Sequence, residues 1–408
     1  MGMPLRSVEL FAGAGGLALG LSAAGFVHEA VVEWDRQACQ TIRDNQARGL
    51  KPLVDWPLYE TDVNYFDCSA IPNPVDIVSA GVPCQPWSIG GKHKGQDDDR
   101  NLFPETLRIV RELRPKAILI ENVKGLLRRS FASYFGYIHL MLTHPEVVRR
   151  SEETWSDHLR RLENHHTAGK FHGLHYNVVY RQLNAADYGI PQRRERVFLV
   201  GFRSDVGVRW SFPEPTHSRE ALLRDQWVSG DYWERHEIAK RRRPQMPARL
   251  RSQIERRGDQ LELPVRSALP WRTVRDAISD LPDPESQSGP SVQGHVFISG
   301  ARTYAGHTGS PLDEPAKTIK AGDHGVPGGE NMLAHPDGRV RYFTVRESAR
   351  LQSFPEEYHF NGSWTETMRQ LGNAVPAKLA EVLAKAIRGK LSTNERAAQE
   401  GTEVRRPN

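Results

Sequence analysis

The chain has 408 residues, 38% hydrophobic and 26% charged, with a formal net charge of +5, a balance that suits a soluble protein of two or three domains with a sizeable core. No apolar run is long enough to span a bilayer and no signal peptide opens the chain, so membrane insertion and export are not expected. Three cysteines without a CxxC spacing, Cys39, Cys68 and Cys84, argue against a disulfide framework or structural zinc and point to a reducing, cytoplasmic setting, while the mild positive charge suits an anionic partner.

In chain order, residues 7–11 read as a strand, and Ala12-Gly-Ala-Gly-Gly16 is a glycine-rich turn into the helical pattern of Leu17, Leu19, Leu21 and Ala24. Gly13, Gly15 and Ala18 fit the G-x-G-x-x-G/A spacing that lets a nucleotide-like ligand approach amides at a helix start. Glu33 ends a second strand at 30–33, where a carboxylate can accept both hydroxyls of a ribose, and Trp34 offers a face to an adenine ring. Asp62 falls where a third strand should end. It either receives an adenine amino group or serves as a turn or cap aspartate, and the residues alone leave both open.

The next strand, 75–78, leads to Cys84 between Pro83 and Pro86, a stiff stretch that presents one side chain at the lip of a sheet. Gly90, Gly91 and Gly95 supply hinges beyond it. Alone, Cys84 reads as a buried structural residue in a βα turn; its company argues otherwise. A helix with Leu107, Val110 and Leu113 on its apolar face ends at Pro115. Residues 117–120 are a wholly apolar strand running into Glu121-Asn-Val123, so an acid joins Gly13, Glu33 and Cys84 at one carboxyl edge, the pattern of an active site.

Residues 130–173 read as a charged, amphipathic helical segment, and the irregular spacing of His139, His144, His158, His165, His166, His172 and His175 does not suggest a metal site. Strands at 176–180 and 196–200 flank a loop in which Arg194 and Arg196, on alternate positions, face one side of a strand start and can grip a phosphate and a base carbonyl. Helices alternating with strands, without hairpin signals, predict an α/β fold with a doubly wound, mainly parallel sheet.

From about 215 to 343 the βα rhythm is lost, which predicts a separate, irregular and smaller second domain. Arg241, Arg242 and Arg243 with Lys240, and Arg249, Arg251, Arg256 and Arg257, interleave with Trp227, Tyr232, Trp233 and Trp271 as a candidate nucleic-acid surface. A solvated charged helix, such as 249–260, is the competing explanation. The glycine-rich stretch 322–329 can offer base-edge contacts. Thr344 and Glu347 fit a capping box, Gln370-Leu-Gly-Asn-Ala-Val-Pro376 reads as a tight turn with Asn373 reaching toward a ligand, and a helix follows at 378–387.

In this order, Phe-Ala-Gly-Ala-Gly-Gly (11–16), Glu-Trp-Asp (33–35), Gly-Val-Pro-Cys-Gln-Pro-Trp-Ser (81–88), Glu-Asn-Val (121–123), Gln-Arg-Arg-Glu-Arg (192–196), Arg-Glu-Ser-Ala-Arg-Leu-Gln-Ser-Phe-Pro (346–355) and Gln-Leu-Gly-Asn-Ala-Val-Pro (370–376) resemble the C5-cytosine DNA methyltransferases of bacterial restriction-modification systems. The resemblance runs from residue 8 to about 383 and is weakest in the second domain; no catalytic motif is broken. It implies a Rossmann-like, S-adenosylmethionine-dependent domain at 1–214, a target-recognition domain at 215–343 and a return to the catalytic domain at 344–390; the polar composition of 391–408 itself predicts a disordered tail.

The same resemblance implies roles. Cys84, as thiolate, attacks carbon 6 of a cytosine flipped out of duplex DNA, and Glu121 holds or donates a proton at ring nitrogen 3. Arg194 and Arg196 fix the base carbonyl and a phosphate. Phe11, Ala12, Gly13, Gly15, Gly16, Glu33, Trp34, Asp62, Pro83, Leu102, Asn373 and Val375 line the cofactor pocket. Gln85, Ser88, Arg241, Arg242, Arg243 and a threonine-aliphatic doublet, Thr318 and Ile319, are the expected DNA contacts, and 88–96 is the candidate lid. The implied setting is a cytoplasmic, nucleoid-associated monomer on double-stranded DNA, needing no metal, accompanied by a restriction endonuclease or another phage-defence protein. The alternative is a transfer-RNA cytosine-5 methyltransferase of the same fold, against which stands a large basic second domain suited to duplex grooves.

Overall fold

A computed structural model describes residues 4–83, 102–169, 173–246, 248, 251–252, 268–305, 307–321 and 331–403. Cys84, Gln85, Ser88, Gly90, Gly91, Gly95, His172, Arg249, Arg256, Arg257 and the stretches 88–96 and 322–329 lie outside the described residues. The chain divides into two compact units, one of residues 1–183, 195–213 and 357–408, the other of 184–194 and 214–356.

The first unit is built on a seven-stranded sheet. Its strands are β1 (Leu5–Leu10), β2 (Phe26–Glu33), β3 (Leu58–Glu60), β4 (Ile77–Gly81), β5 (Ala117–Val123), β6 (Tyr176–Asn184) and β7 (Glu195–Arg203), in the order β3-β2-β1-β4-β5-β7-β6. The pairs β1–β2, β1–β4, β2–β3 and β4–β5 are parallel, and β7 runs antiparallel to β5. Val8, Leu10, Val31, Val32, Ile77, Val78, Ile118, Leu119 and Ile120 are all buried, as strands covered on both faces require. Helices α1 (Gly16–Ala23), α2 (Arg36–Ala47), α3 (Phe103–Leu113), α4 (Ala132–Thr143) and α5 (Trp155–Ala168) supply the cover. Asp35 caps α2 by accepting from the Ala38 amide, a proline sits in the first turn of α3, and Arg114 closes α3 in the left-handed region. The strand order reverses between β1 and β4, so the loops leaving their carboxyl ends diverge there and leave a crevice.

The second unit is irregular. It holds the short strands β8 (His217–Ser218), β9 (Leu269–Pro270), β10 (Ser310–Pro311), β11 (Met332–Ala334) and β12 (Val340–Tyr342), with helices α6 (Arg219–Arg224), α7 (Asp231–Arg235), α8 (Val274–Ile278) and α9 (Val345–Leu351). A small core of Leu222, Tyr232 and Trp233, with Trp227, Ile238 and Trp271 against it, absorbs the aromatics that interleave with the arginines in the sequence. Residues 344–356 pack in this unit: Arg350 of α9 donates to Ala277 O at 2.9 Å and pairs with Asp280. Thr344 and Glu347 form the expected capping box.

Helices α10 (Trp364–Asn373) and α11 (Ala377–Glu403) belong to the first unit. One sequence expectation needs correction here. Residues 370–373 are the last turn of α10 and not part of a tight turn, because Gln370 is drawn into the core, accepting from Thr41 Oγ1 at 2.8 Å and donating to Asn361 O at 3.0 Å. α11 continues to Glu403; between Gly389 and Gly401 no glycine or proline interrupts helix formers such as Glu395, Arg396, Ala397 and Ala398. Among the described residues no helix is long and apolar enough to cross a membrane.

Candidate functional site

The carboxyl edge of the sheet begins with a strained turn. Phe11 leaves β1 at φ 56°, a left-handed conformation unusual for a residue with a Cβ, and Gly13 and Gly15 follow at φ 55° and 82°. Ala12 N donates to Val32 O at 3.1 Å, and Gly15 N to Ala12 O at 2.8 Å, so the turn curls onto the end of β2 before α1 starts at Gly16. Glu33 locks the two together. Its Oε2 accepts from Gly13 N at 2.6 Å, while Oε1 accepts from Trp34 N at 2.9 Å and Asp35 N at 2.7 Å. Burial pushes the Glu33 carboxyl up against the pull of these donors. Beside it the Trp34 indole is 70% exposed, an unusual state for tryptophan and one that leaves a flat aromatic surface open.

Asp62 lies two residues beyond β3 and behaves as a cap, its Oδ1 accepting from Asn64 N at 2.9 Å and Asn64 Nδ2 at 2.7 Å. Pro83 and Leu102, the last and first described residues around Cys84, are half-buried. Later in the chain, Val375 is buried and Asn373 exposed, at the carboxyl end of α10. That helix is fixed to the β2 end through Arg369, which donates to Asp35 Oδ2 at 2.8 Å.

Glu121 extends β5 opposite Gly81 of β4. A Cβ built on Gly81 would stand 3.7 Å from Glu121 Oε2 and 3.9 Å from Phe11 O, so glycine there keeps a gap between the turn and the acid. Arg196 of β7 faces the same acid, its Nε 2.9 Å from Glu121 Oε1, with both side chains about nine-tenths buried (13% and 9% exposed). A dry pair of this kind holds a carboxylate in one orientation. Sequence reasoning overlooked Asn122, whose Nδ2 donates to Val82 O at 3.2 Å and whose Oδ1 accepts from Val123 N at 2.8 Å. It secures the chain just before Cys84; an amide inside the final turn of a buried strand was the available signal.

Arg194 and Arg196, expected on one side of a strand start, meet different partners. β7 begins at Glu195, and Arg194 packs in the second unit, wholly buried, with Nη1 donating to Ile319 O at 3.0 Å. Residues 191–194 are pulled out of the strand by pairing with 316–319, including a parallel bridge between Gln192 and Ala316. Within the doublet, Thr318 is half-buried, its hydroxyl donating to Arg193 O at 2.8 Å, and Ile319 is wholly buried. Of the basic cluster, Lys240, Arg241 and Arg242 form an exposed turn, whereas Arg243 turns inward and donates from Nε to Ile238 O at 3.0 Å.

The histidines of α4 and α5 serve packing. His158 bonds Tyr137 Oη at 2.8 Å and Val147 O at 2.7 Å, and His144 meets His166 at 2.9 Å. Burial, with neighbouring imidazoles, lowers His144 to about 4. Among the described residues no group of three or more His, Cys, Asp or Glu is arranged to hold a metal ion.

A family model described as C-5 cytosine-specific DNA methylase matches residues 5–144 and 156–389. The Type II methyltransferase M.NgoMIV of Neisseria gonorrhoeae is 30% identical over 389 residues, covering 94% of this chain and 97% of its own length. The Type II methyltransferase M.Eco47II of Escherichia coli is 30% identical over 390 residues, covering 93% and 78%. Among solved structures, one described as a DNA modification methyltransferase encoded within an E. coli prophage aligns with a TM-score of 0.57 at 20% identity, over 95% of this chain and 99% of that one. DNMT2 of Spodoptera frugiperda aligns with a TM-score of 0.53 at 17% identity, over 94% and 99%; likeness at these identities speaks to the fold.

Proposed function

The chain belongs to the C-5 cytosine-specific DNA methylase family and is a DNA cytosine-5 methyltransferase, and we propose that it takes the methyl group from S-adenosylmethionine held by the glycine turn, Glu33 and Trp34. The observation that carries this reading is the gap at Gly81, bordered by Phe11 O and Glu121 Oε2 on one sheet edge. The residues fit the cofactor: the exposed Trp34 ring suits an adenine, the Glu33 carboxylate a ribose, and the gap a small group passing toward the acid. Asp62 Oδ2 is the proposed acceptor for the adenine amino group, its Oδ1 being used in capping. Phe11, Ala12, Gly13, Gly15, Gly16, Pro83, Leu102, Asn373 and Val375 complete the proposed pocket. When bound, the cofactor supplies an electrophilic methyl group.

Carbon 5 of cytosine is a poor nucleophile until carbon 6 carries an electron-rich substituent. Cys84 is the proposed nucleophile: its sulfur bonds carbon 6 as the ring pair moves to carbon 5; once carbon 5 carries the methyl group it gives its proton to a solvent base, that pair restores the double bond and the aromatic ring, and the sulfur leaves with its bonding pair. Glu121 holds a proton at ring nitrogen 3, which keeps negative charge from accumulating during the attack. Arg196 keeps that carboxyl in place, and Asn122 steadies the chain that carries Cys84. Arg194, Thr318, Arg241 and Arg242 are proposed to act on the DNA side. We propose a Type II restriction-modification role, supported by the likeness to Type II methyltransferases, in the cytoplasm and with a cognate endonuclease as companion.

Incorporation of tritiated methyl groups into duplex DNA and into transfer RNA tests the substrate; label in RNA alone refutes the reading. Bisulfite sequencing of a plasmid from an expressing host then identifies the methylated cytosine. Cys84→Ala abolishes methylation, and undiminished turnover by that variant removes Cys84 from the mechanism.

A further inference from the structure

Within the second unit, residues 191–194 and 316–319 lie side by side. Ala316 N donates to Pro191 O at 2.9 Å, Arg193 N to Ala316 O at 2.7 Å, and Thr318 Oγ1 to Arg193 O at 2.8 Å. Gln192 completes the pairing from inside. Its side chain is wholly buried, Oε1 accepts from Ile319 N at 3.0 Å, and Nε2 donates to Leu351 O and Gln352 Oε1, both at 3.1 Å. Arg194 Nη1 in turn donates to Ile319 O at 3.0 Å. Both polar backbone atoms of Ile319 are therefore held by side chains two positions apart on one stretch. A carboxamide is the group this place demands, since it must accept on one side and donate on the other. Buried polar groups with all their bonds made define geometry more than they add stability.

Resting on the methyltransferase reading above, we propose that Gln192 is a positioning residue for target discrimination. Through Ile319 it places Thr318, the half-buried member of the doublet, and Arg194 in a single register, with the end of α9 as the third support. Thr318 and Arg194, both proposed to act on the DNA side, then share one buried anchor. A mismatch that displaces the first also displaces the second, so discrimination appears in turnover and not in binding alone.

The test begins with the wild type. If it methylates no DNA, the functional reading fails and the inference is not engaged. Once bisulfite sequencing has defined the site, kcat and KM are measured on that duplex and on one with a single recognised pair changed. Gln192→Glu keeps an acceptor for Ile319 N but sets a carboxylate against two acceptors, and Gln192→Met keeps the bulk and loses every polar contact. Both are expected to lower the ratio of kcat/KM for the two duplexes about tenfold, the equivalent of roughly one buried hydrogen bond, mostly through kcat on the correct site, with KM for the cofactor unchanged. Should these variants fail to fold, Gln352→Met removes one acceptor of Nε2 from the α9 side and is expected to lower the ratio about threefold. A lowered melting temperature with an unchanged discrimination ratio, in any folded variant of the three, makes Gln192 purely structural and overturns the proposal.

Discussion

Glu9 stands in the middle of β1, wholly buried, opposite Ser79 of β4, whose hydroxyl donates to its Oε2. Burial pushes its carboxyl from the ordinary 4.5 up to about 8, so the folded chain holds a proton at neutral pH that the unfolded chain releases. A group raised in this way favours the fold below pH 4.5 and withdraws that support as pH climbs to about 8. At about 1.4 kcal/mol per pH unit, the withdrawn stability reaches roughly 2 kcal/mol at pH 6, 3 kcal/mol at pH 7 and 4 kcal/mol at pH 8. Glu9→Gln keeps the size and the acceptor for Ser79 but does not titrate. In urea unfolding followed by tryptophan fluorescence, the stability of the variant relative to wild type is expected to rise by about 2 kcal/mol between pH 6 and 8. The fixed offset between the two proteins depends on the new amide; the slope does not. Parallel profiles refute the reasoning. His28, which burial lowers to about 4, acts with the opposite sign, its support present above its ordinary 6.5 and lost toward pH 4, and it cancels in the difference.

Glu121→Gln is expected to lower kcat about 100-fold or more while duplex affinity changes little, measured by methyl transfer and filter binding; unaffected turnover removes Glu121 from proton handling. Trp34→Ala is expected to raise KM for the cofactor about tenfold at near-normal kcat, and an equal KM would show that no ring stacks on the indole. Gly20→Ala puts a methyl group onto Ala380, 2.5 Å from Glu381 N, and is expected to cost about 1–3 kcal/mol in urea unfolding. Retained stability would show that α1 and α11 can separate without loss.

The first unit was legible because its determinants are local. Glycines at 13 and 15 announce a left-handed turn, and Glu33 and Glu121 each follow an apolar run, so their place toward the carboxyl edge follows from polarity, although β5 runs two residues past Glu121. Asp62 was visible as a residue, and the structure adds its capping bonds. Glu9 was not visible as a buried acid, since one glutamate between Val8 and Leu10 also suits a half-exposed strand, and only pairing on both sides of β1 encloses it. The partner of Arg194 was hidden for a related reason. Its spacing from Arg196 matches strand alternation, but the carbonyl it meets lies more than 120 residues further along the chain, where no local signal reaches.

The pairing of 191–194 with 316–319 also bears on how this enzyme can be rebuilt. The backbone passes between the two compact units at 183/184, 194/195, 213/214 and 356/357, so the second unit is not a single insert. A transplant from a relative cut at 215 and 343 would bring a foreign partner for Gln192, Arg193 and Arg194 while leaving α9 behind. A transplant that keeps the second unit whole therefore has to move three pieces together, 184–194, 214–343 and 344–356, or restore by mutation the hydrogen bonds that join them.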